Sequence, residues 1–298
     1  MPQPNLSHLV VFATVARLGS FRGAGAEAGM STSAVSHAIR GLEDRLGVTL
    51  FNRTTRSVSL TEAGQRLLER LQPALRDVGD AIEEMNAFRS TPTGTLRINA
   101  SRSAAKLFIA PVIAKFFAAY PEINLEIMEQ DGFVDIVAAG FDAGIRFEEA
   151  VPEDMVGVRL GISMRWAVVG APSYFASHPA PLHPDDLSAH DCIRFRFPSG
   201  RFSRWEFAKD GVEMEVDVRG RLTVSDAGTG VAAALDGIGL TSAFDNFVTD
   251  ALAEGRLVRV LEDWCPSFSG FMLYYPRQRR MSSALRAFID MLRAHHAG

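Results

Sequence analysis

Thr32, Ser33, Ser36, His37 and Arg40 fall on one side of a helical repeat whose other side carries Val35, Ala38, Ile39, Leu42 and Leu46. Short hydroxyls, an imidazole and a guanidinium grouped in the first two turns of one helix suit hydrogen bonding to base edges in a duplex major groove. Arg40 is placed to hold guanine by two parallel hydrogen bonds, a contact that discriminates by about 1–3 kcal/mol. The hydroxyls serve bases or phosphates equally well, and His37 fits a solvated surface position as well as a base contact. Arg53 and Arg56, in a polar segment over 52–57, suit phosphate contacts that fix register without reading sequence.

A second group of residues suits a small ligand. Ser101-Arg102-Ser103 leads into one expected helix and Ser225-Asp226 into another, with Thr229 one turn further on. Unpaired amides and the helix dipole at such termini favour carboxylates and other anions. Arg146-Phe147, at the end of an expected strand, and Phe195 complete the candidate cleft. The expected ligand is a small anionic metabolite.

Other chemistries find no footing. The chain has no Gly-x-Ser-x-Gly, phosphate-binding loop or dinucleotide fingerprint. His178, His183 and His190 lack regular metal-ligand spacing, and Cys192 and Cys265 read as two free thiols in a reducing compartment. Neither an enzyme nor a bound cofactor or metal is expected.

Three helices must position the first group. Leu6, Leu9, Val10, Ala13, Val15 and Ala16 share a helical repeat over 6–18, and a short helix runs over 21–28, closed by Gly29. Ser31 caps the third helix, over 32–46, by accepting from amides of its first turn. Two helices joined by a Gly-Met-Ser turn and packed on a preceding one make a helix-turn-helix. Strands at 48–51 and 58–60 then enclose the basic turn as a β-wing. From Thr61 a long helix carries Leu68, Leu71, Leu75, Val78, Ile82 and Met85 at spacings of 3, 4, 3, 4 and 3, a heptad seam that marks it for dimerisation, with a bend at Pro73.

The segment 90–94 reads as a hinge. Beyond it strands and helices alternate: a strand over 95–99, a helix over 107–120, a strand at 123–127, a short helix near 133–139 and a strand over 141–145. Further on come a strand over 212–218, a helix over 227–235, a strand over 271–275 and a helix over 283–293. This is an α/β domain. The net charge of −4 is uneven: residues 1–60 hold six arginines against three acids, a net of +3, residues 61–89 carry −2, and the rest carries −5. Positive potential is therefore confined to the end that would meet phosphate. With 47% hydrophobic and 22% charged residues, the composition excludes a disordered chain. No apolar run is long enough for a membrane span, and His8 and Arg17 interrupt the stretch where a secretion signal would have its apolar core. A cytoplasmic protein is expected.

The order Gly19-Ser20-Phe21, Ser31 to Ile39, Leu42-Glu43, Leu46-Gly47, Leu50-Phe51, Arg53, Arg56 and Leu60-Thr61-Glu62-Ala63-Gly64 resembles the LysR-type transcriptional regulators over about the first 65 residues. Gly25 and Ala28 depart from the alanine and leucine usual there, and a helical glycine costs about 0.5–1 kcal/mol. Weaker similarities continue to the C-terminal end through Trp205-Glu206-Phe207, Asp210-Gly211, Gly255-Arg256-Leu257-Val258 and Tyr274-Tyr275-Pro276. Where many relatives have Leu-Pro, this chain has Thr241-Ser242-Ala243-Phe244. The resemblance implies a winged helix-turn-helix over 1–60 and a linker helix over 61–89. After the 90–94 hinge it implies a two-lobed domain like the periplasmic binding proteins over 95–298. Lobe I would span about 95–161 and 269–298, and lobe II about 162–268, with an effector between them. The partners it implies are double-stranded DNA carrying an interrupted inverted repeat, a second copy of the chain in a dimer that pairs into a tetramer, and RNA polymerase. No membrane partner is implied. A second reading keeps the small-molecule site and treats the DNA-binding end as degenerate.

Overall fold

The computed structural model describes residues 5–54, 57–86, 91–161, 163–278 and 280–296, the side chains of 76, 80 and 82–86 excepted. The chain divides into two compact units, 1–90 together with 138–140, and 91–137 together with 141–298.

In the N-terminal unit, α1 (Leu6–Leu18), α2 (Phe21–Ala28) and α3 (Thr32–Leu46) close around Phe12, Val15, Val35, Ile39 and Leu42, all fully buried. Ser31 Oγ accepts from the Ala34 amide at 3.2 Å, which fixes the start of α3. The inner face of α1 is Val11, Phe12 and Val15, while Leu6 and Val10 are exposed, so the expected face is corrected by a rotation of about one residue. This helix is apolar nearly all round, and the largest side chain takes the interior: Phe12 meets Phe51 with ring centres 5.3 Å apart. Leu46, expected to face inward, is 42% exposed.

The wing pairs β1 (Phe51–Arg53) with β2 (Val58–Leu60) in antiparallel register, Phe51 opposite Leu60. Its first strand starts later than the sequence suggests because Glu43 Oε1 takes the amides of Leu50 and Phe51 at 2.8 and 3.3 Å. α4 (Glu62–Asn86) follows, with Pro73 inside it, and Thr61 Oγ1 accepts from the Gly64 amide at 3.0 Å. The heptad seam on α4 divides. Leu71 is buried and Leu68 and Leu75 are half-buried against the core of their own unit, whereas Val78 is exposed. The side chains of Ile82 and Met85 lie outside the described residues.

The C-terminal unit begins with β3 (Gly94–Ala100). The helix expected over 107–120 starts earlier and changes pitch: α5 (Arg102–Ala104), a π-helical turn over Ala105–Ile109, a 3-10 turn over Ala110–Val112 and α6 (Ile113–Ala119). Pro111 has no amide hydrogen to continue an α ladder, which accounts for the break beside it. β4 (Ile123–Glu129) is followed by turns, not by the short helix expected near 133–139. There Asp135 Oδ1 accepts from the Val137 amide at 2.9 Å, a local bond that competes with helix formation. β5 (Ala143–Phe147) lies two residues beyond its expected place, because Asp142 Oδ2 is taken by the Arg97 amide at 2.8 Å.

β6 (Met155–Arg159), β7 (Ser163–Gly170), α7 (Pro172–Phe175) and β8 (Arg194–Phe195) come next. The hairpin of β9 (Trp205–Lys209) and β10 (Val212–Val216), then β11 (Thr223–Val224) and α8 (Ala227–Leu235), continue the chain. It ends with β12 (Thr241–Phe244), α9 (Asp245–Ala253), β13 (Val258–Val260), β14 (Ser267–Ser269), β15 (Phe271–Pro276) and α10 (Ser283–His296). One lobe is a five-stranded sheet in the order β4-β3-β5-β15-β6, with β3 parallel to β4 and β5 and β15 antiparallel to its neighbours. Phe108, Phe116, Ile145 and Phe288 are its buried centre. The other lobe is built on β12-β7-β13, with β14 also on β7. Among the described residues no helix is long and apolar enough to cross a membrane.

Candidate nucleic-acid interface and ligand cavity

Thr32, Ser33, His37 and Arg40 are exposed on α3, and Ser36 is half-buried between them. The opposite side of the helix is locked into the core through Val35, Ala38, Ile39 and Leu42, so the polar face cannot rotate inward. Ser33 Oγ lies 2.9 Å from Ser31 Oγ, which ties one reading hydroxyl to the capping residue.

Ion pairing sorts the arginines of this unit. Arg17 is paired with Glu27, and Arg45 Nη2 lies 2.8 Å from His8 Nδ1. Arg53 donates to Glu43 Oε2 at 2.8 Å and stands 4.7 Å from the centre of the Phe21 ring. Its guanidinium therefore braces the root of the wing through a largely buried carboxylate that also holds two backbone amides. Arg40 and Arg22 are exposed and make no ion pair among the described residues. Arg56 lies outside the described residues.

The turn between α2 and α3 explains the glycine at 25. A Cβ there would come within 2.6 Å of the Met30 carbonyl oxygen, so the chain crosses α2 where only hydrogen fits without a shift. The lost helix propensity is the cost of that close approach.

In the C-terminal unit both lobes contribute to a cavity of about 450 Å³. One wall is Arg102, Ser103, Ala105, Lys106, Ile109, Ala110 and Ile113, with Ile127 and Glu129 of β4 beside it; the other is Asp226, Ala227, Gly228 and Phe247. Lys106 Nζ sits 4.7 Å from the centre of the Phe247 ring. Of the expected ligand residues, Arg102, Ser103 and Asp226 line this space.

The other expected ligand residues do not line it. Ser101 Oγ accepts from the Ala104 amide at 3.2 Å, and Thr229 gives its amide and hydroxyl to Asp226 Oδ2 at 2.7 and 2.9 Å. Those bonds, the Thr229 amide first, hold the Asp226 carboxyl below the usual carboxylate range. Ser225 is exposed at the end of β11. Arg146 is buried, and its guanidinium donates to Asn99 Oδ1 and to the carbonyls of Ile145, Gln130 and Gly132. Burial pushes its pKa down, opposed by Tyr274 and Asp131. Phe147 stacks on Phe271 with ring centres 4.1 Å apart, and Phe195 meets Phe197 at 5.3 Å.

His190 bonds the Tyr174 hydroxyl at 3.1 Å and His183 accepts from the Asp185 amide at 3.2 Å, so both serve local structure. Cys192 and Cys265 are free and buried, and burial pushes the Cys192 thiol up to about 12.

Two family models cover almost the whole sequence: the bacterial regulatory helix-turn-helix of the lysR family matches residues 6–65, and the LysR substrate-binding domain matches residues 89–297. The chain belongs to the LysR family of transcriptional regulators. The HTH-type transcriptional regulator YcaN of Escherichia coli K12 is 46% identical over 97% of this chain and 95% of its own length. PgrR of the same organism is 36% identical over 98% of both chains. Among solved structures, the full-length virulence activator AphB of Vibrio cholerae superposes with a TM-score of 0.66 at 26% identity, covering 98% of this chain and 99% of its own. CrgA from Neisseria meningitidis gives 0.63 at 29% identity, covering 99% and 100%. This LysR-type regulator thus binds DNA through its helix-turn-helix and carries a C-terminal two-lobed effector-binding domain.

Several groups in the regulator were not singled out from its sequence. Glu43 and Phe21, which engage Arg53, lie on other elements, Phe21 more than thirty residues away. Lys106, Glu129 and Phe247 reach the cavity from three different elements. Arg22 carried a local signal, a lone arginine at the start of the second helix, and like Arg40 it is exposed and makes no ion pair among the described residues.

Proposed function

We propose that α3 of the regulator reads an interrupted inverted repeat as part of a symmetric dimer, and that a small carboxylate-bearing metabolite in the 450 Å³ cavity modulates that binding. The observation that carries the reading is the α3 face: donors and acceptors exposed and an arginine free, on a helix whose other side is fixed in a core. Two such helices related by a two-fold axis contact half-sites about one helical turn, or a multiple of it, apart. Val78, the exposed member of the α4 seam among the described residues, suits the partner chain. Dimers pair into tetramers, and RNA polymerase is the further partner when the complex acts at a promoter. An effector shifts the equilibrium only by binding one arrangement of the lobes more tightly than the other.

Selection of binding sites from random DNA with the full chain, followed by footprinting, tests the reading. The expected result is an inverted repeat with regularly spaced protections. Enriched DNA with no symmetry and no base preference overturns it. Val78→Asp should lower the sedimentation coefficient to that of a monomer while the melting temperature holds. An intact dimer in that variant removes α4 from the interface.

A further inference from the structure

The cavity carries charges of both signs. Arg102 and Lys106, with Glu129 beside them, face Asp226 and Phe247 on the other wall, and Ile109 and Ile113 add apolar lining. A further carboxylate, Asp131, stands 3.5 Å from Arg102 Nε. The helix termini that would attract a simple anion are already closed by the protein's own groups. The Arg102 amide donates to Asp131 Oδ1 at 3.0 Å, the Ala104 amide to Ser101 Oγ at 3.2 Å, and the Thr229 amide to Asp226 Oδ2 at 2.7 Å. Arg102 is also close enough for its charge to help keep Asp226 ionised. A monocarboxylate seated on Arg102 would therefore meet three carboxylates with two cations to offset them. Like charges held together in a partly desolvated space cost affinity. A ligand that brings its own cation removes that cost.

We infer that the effector is a zwitterion of the α-amino acid class with an apolar side chain, its carboxylate between Arg102 and Lys106 and its ammonium toward Asp226 and Glu129. The side chain lies on the isoleucines and Phe247, and the volume is within the range of pockets that enclose metabolites, about 300–1,000 Å³. This inference rests on reading the cavity as the effector site. It narrows the expected carboxylate-bearing metabolite to one that also carries an amine.

The test uses the full chain and the twenty standard L-amino acids, followed by thermal shift and calorimetry. The strongest apolar binder is then compared with its deaminated acid and its decarboxylated amine. At least one apolar amino acid should raise the melting temperature, and each singly charged analogue should bind at least about tenfold more weakly, the scale of one charged hydrogen bond. Lys106→Met and Glu129→Gln should each weaken the amino acid by about fivefold or more. A melting temperature unmoved by all twenty, or an acid that binds as tightly as its amino acid, overturns the zwitterion. Ala110→Trp, at an exposed position on the cavity wall, separates the two readings. If acids bind the parent chain and not this variant, the cavity is the effector site and only the zwitterion fails. If an amino acid binds the variant undiminished, the cavity itself is not the site.

Discussion

The reading face of α3 and the C-terminal cavity are both polar surfaces, yet they treat charge in opposite ways. On α3 the guanidinium of Arg40 and the hydroxyls of Thr32 and Ser33 are exposed, and two acids of this unit are occupied elsewhere: Glu27 by Arg17, and Glu43 by Arg53 and two amides. In the cavity every cation has an acid on the facing wall or beside it, and Lys106 also has an aromatic ring. Unpaired donors suit a partner that is itself a dense polyanion, because each protein cation displaces condensed counterions. Balanced donors suit a small molecule that must fit without disturbing a folded domain.

Salt tests this contrast with the largest expected effect. DNA affinity should fall by about a thousandfold between about 50 and 200 mM salt if six or more phosphates are contacted by a dimer. Effector affinity over the same interval should change by less than about threefold, because a zwitterion carries no net charge for ions to screen and the cavity's cations and carboxylates lie close to one another. Parallel titrations measure both, and equal slopes would erase the distinction. Next in size is the split between reading and gripping. Arg40→Ala should lose about 1–3 kcal/mol of discrimination between the selected site and random DNA, while Arg56→Ala should weaken both equally and reduce the salt slope by about 1. Competition binding on the two DNAs decides it. The smallest effect belongs to Arg53. Because its guanidinium is held by Glu43 and the Phe21 ring, Arg53→Ala should cost about 1 kcal/mol of folding stability, read by urea denaturation. A variant of unchanged stability but reduced salt slope would return Arg53 to the phosphate-binding set.

Much of the N-terminal unit was legible because its signals are local. Ser31, Gly29 and the 3.6-residue repeat of Val35, Ile39 and Leu42 specify α3 within about sixteen residues, and capping needs only neighbours along the chain. The same locality made the Gly25 departure visible, though the Met30 carbonyl that accounts for it appears only when the turn is folded. In the C-terminal unit the strands near 123–127 and 212–218 showed by alternation, but 133–139 resembles a helix until Asp135 bonds to its own backbone.

What the sequence alone determined, then, is the identity of the helices and wing strands of the N-terminal unit and the side of α3 that carries polar groups, since both follow from periodicity and caps. Which face of α1 is buried, which arginines remain free and which charged residues share a cavity were decided by tertiary structure. Those outcomes depend on partners far away along the chain: Phe51 for Phe12, Phe21 for Arg53, Asp226 for Arg102. Coulomb and contact forces act over ångströms in space, and a linear pattern does not record which distant residues the fold brings within that range.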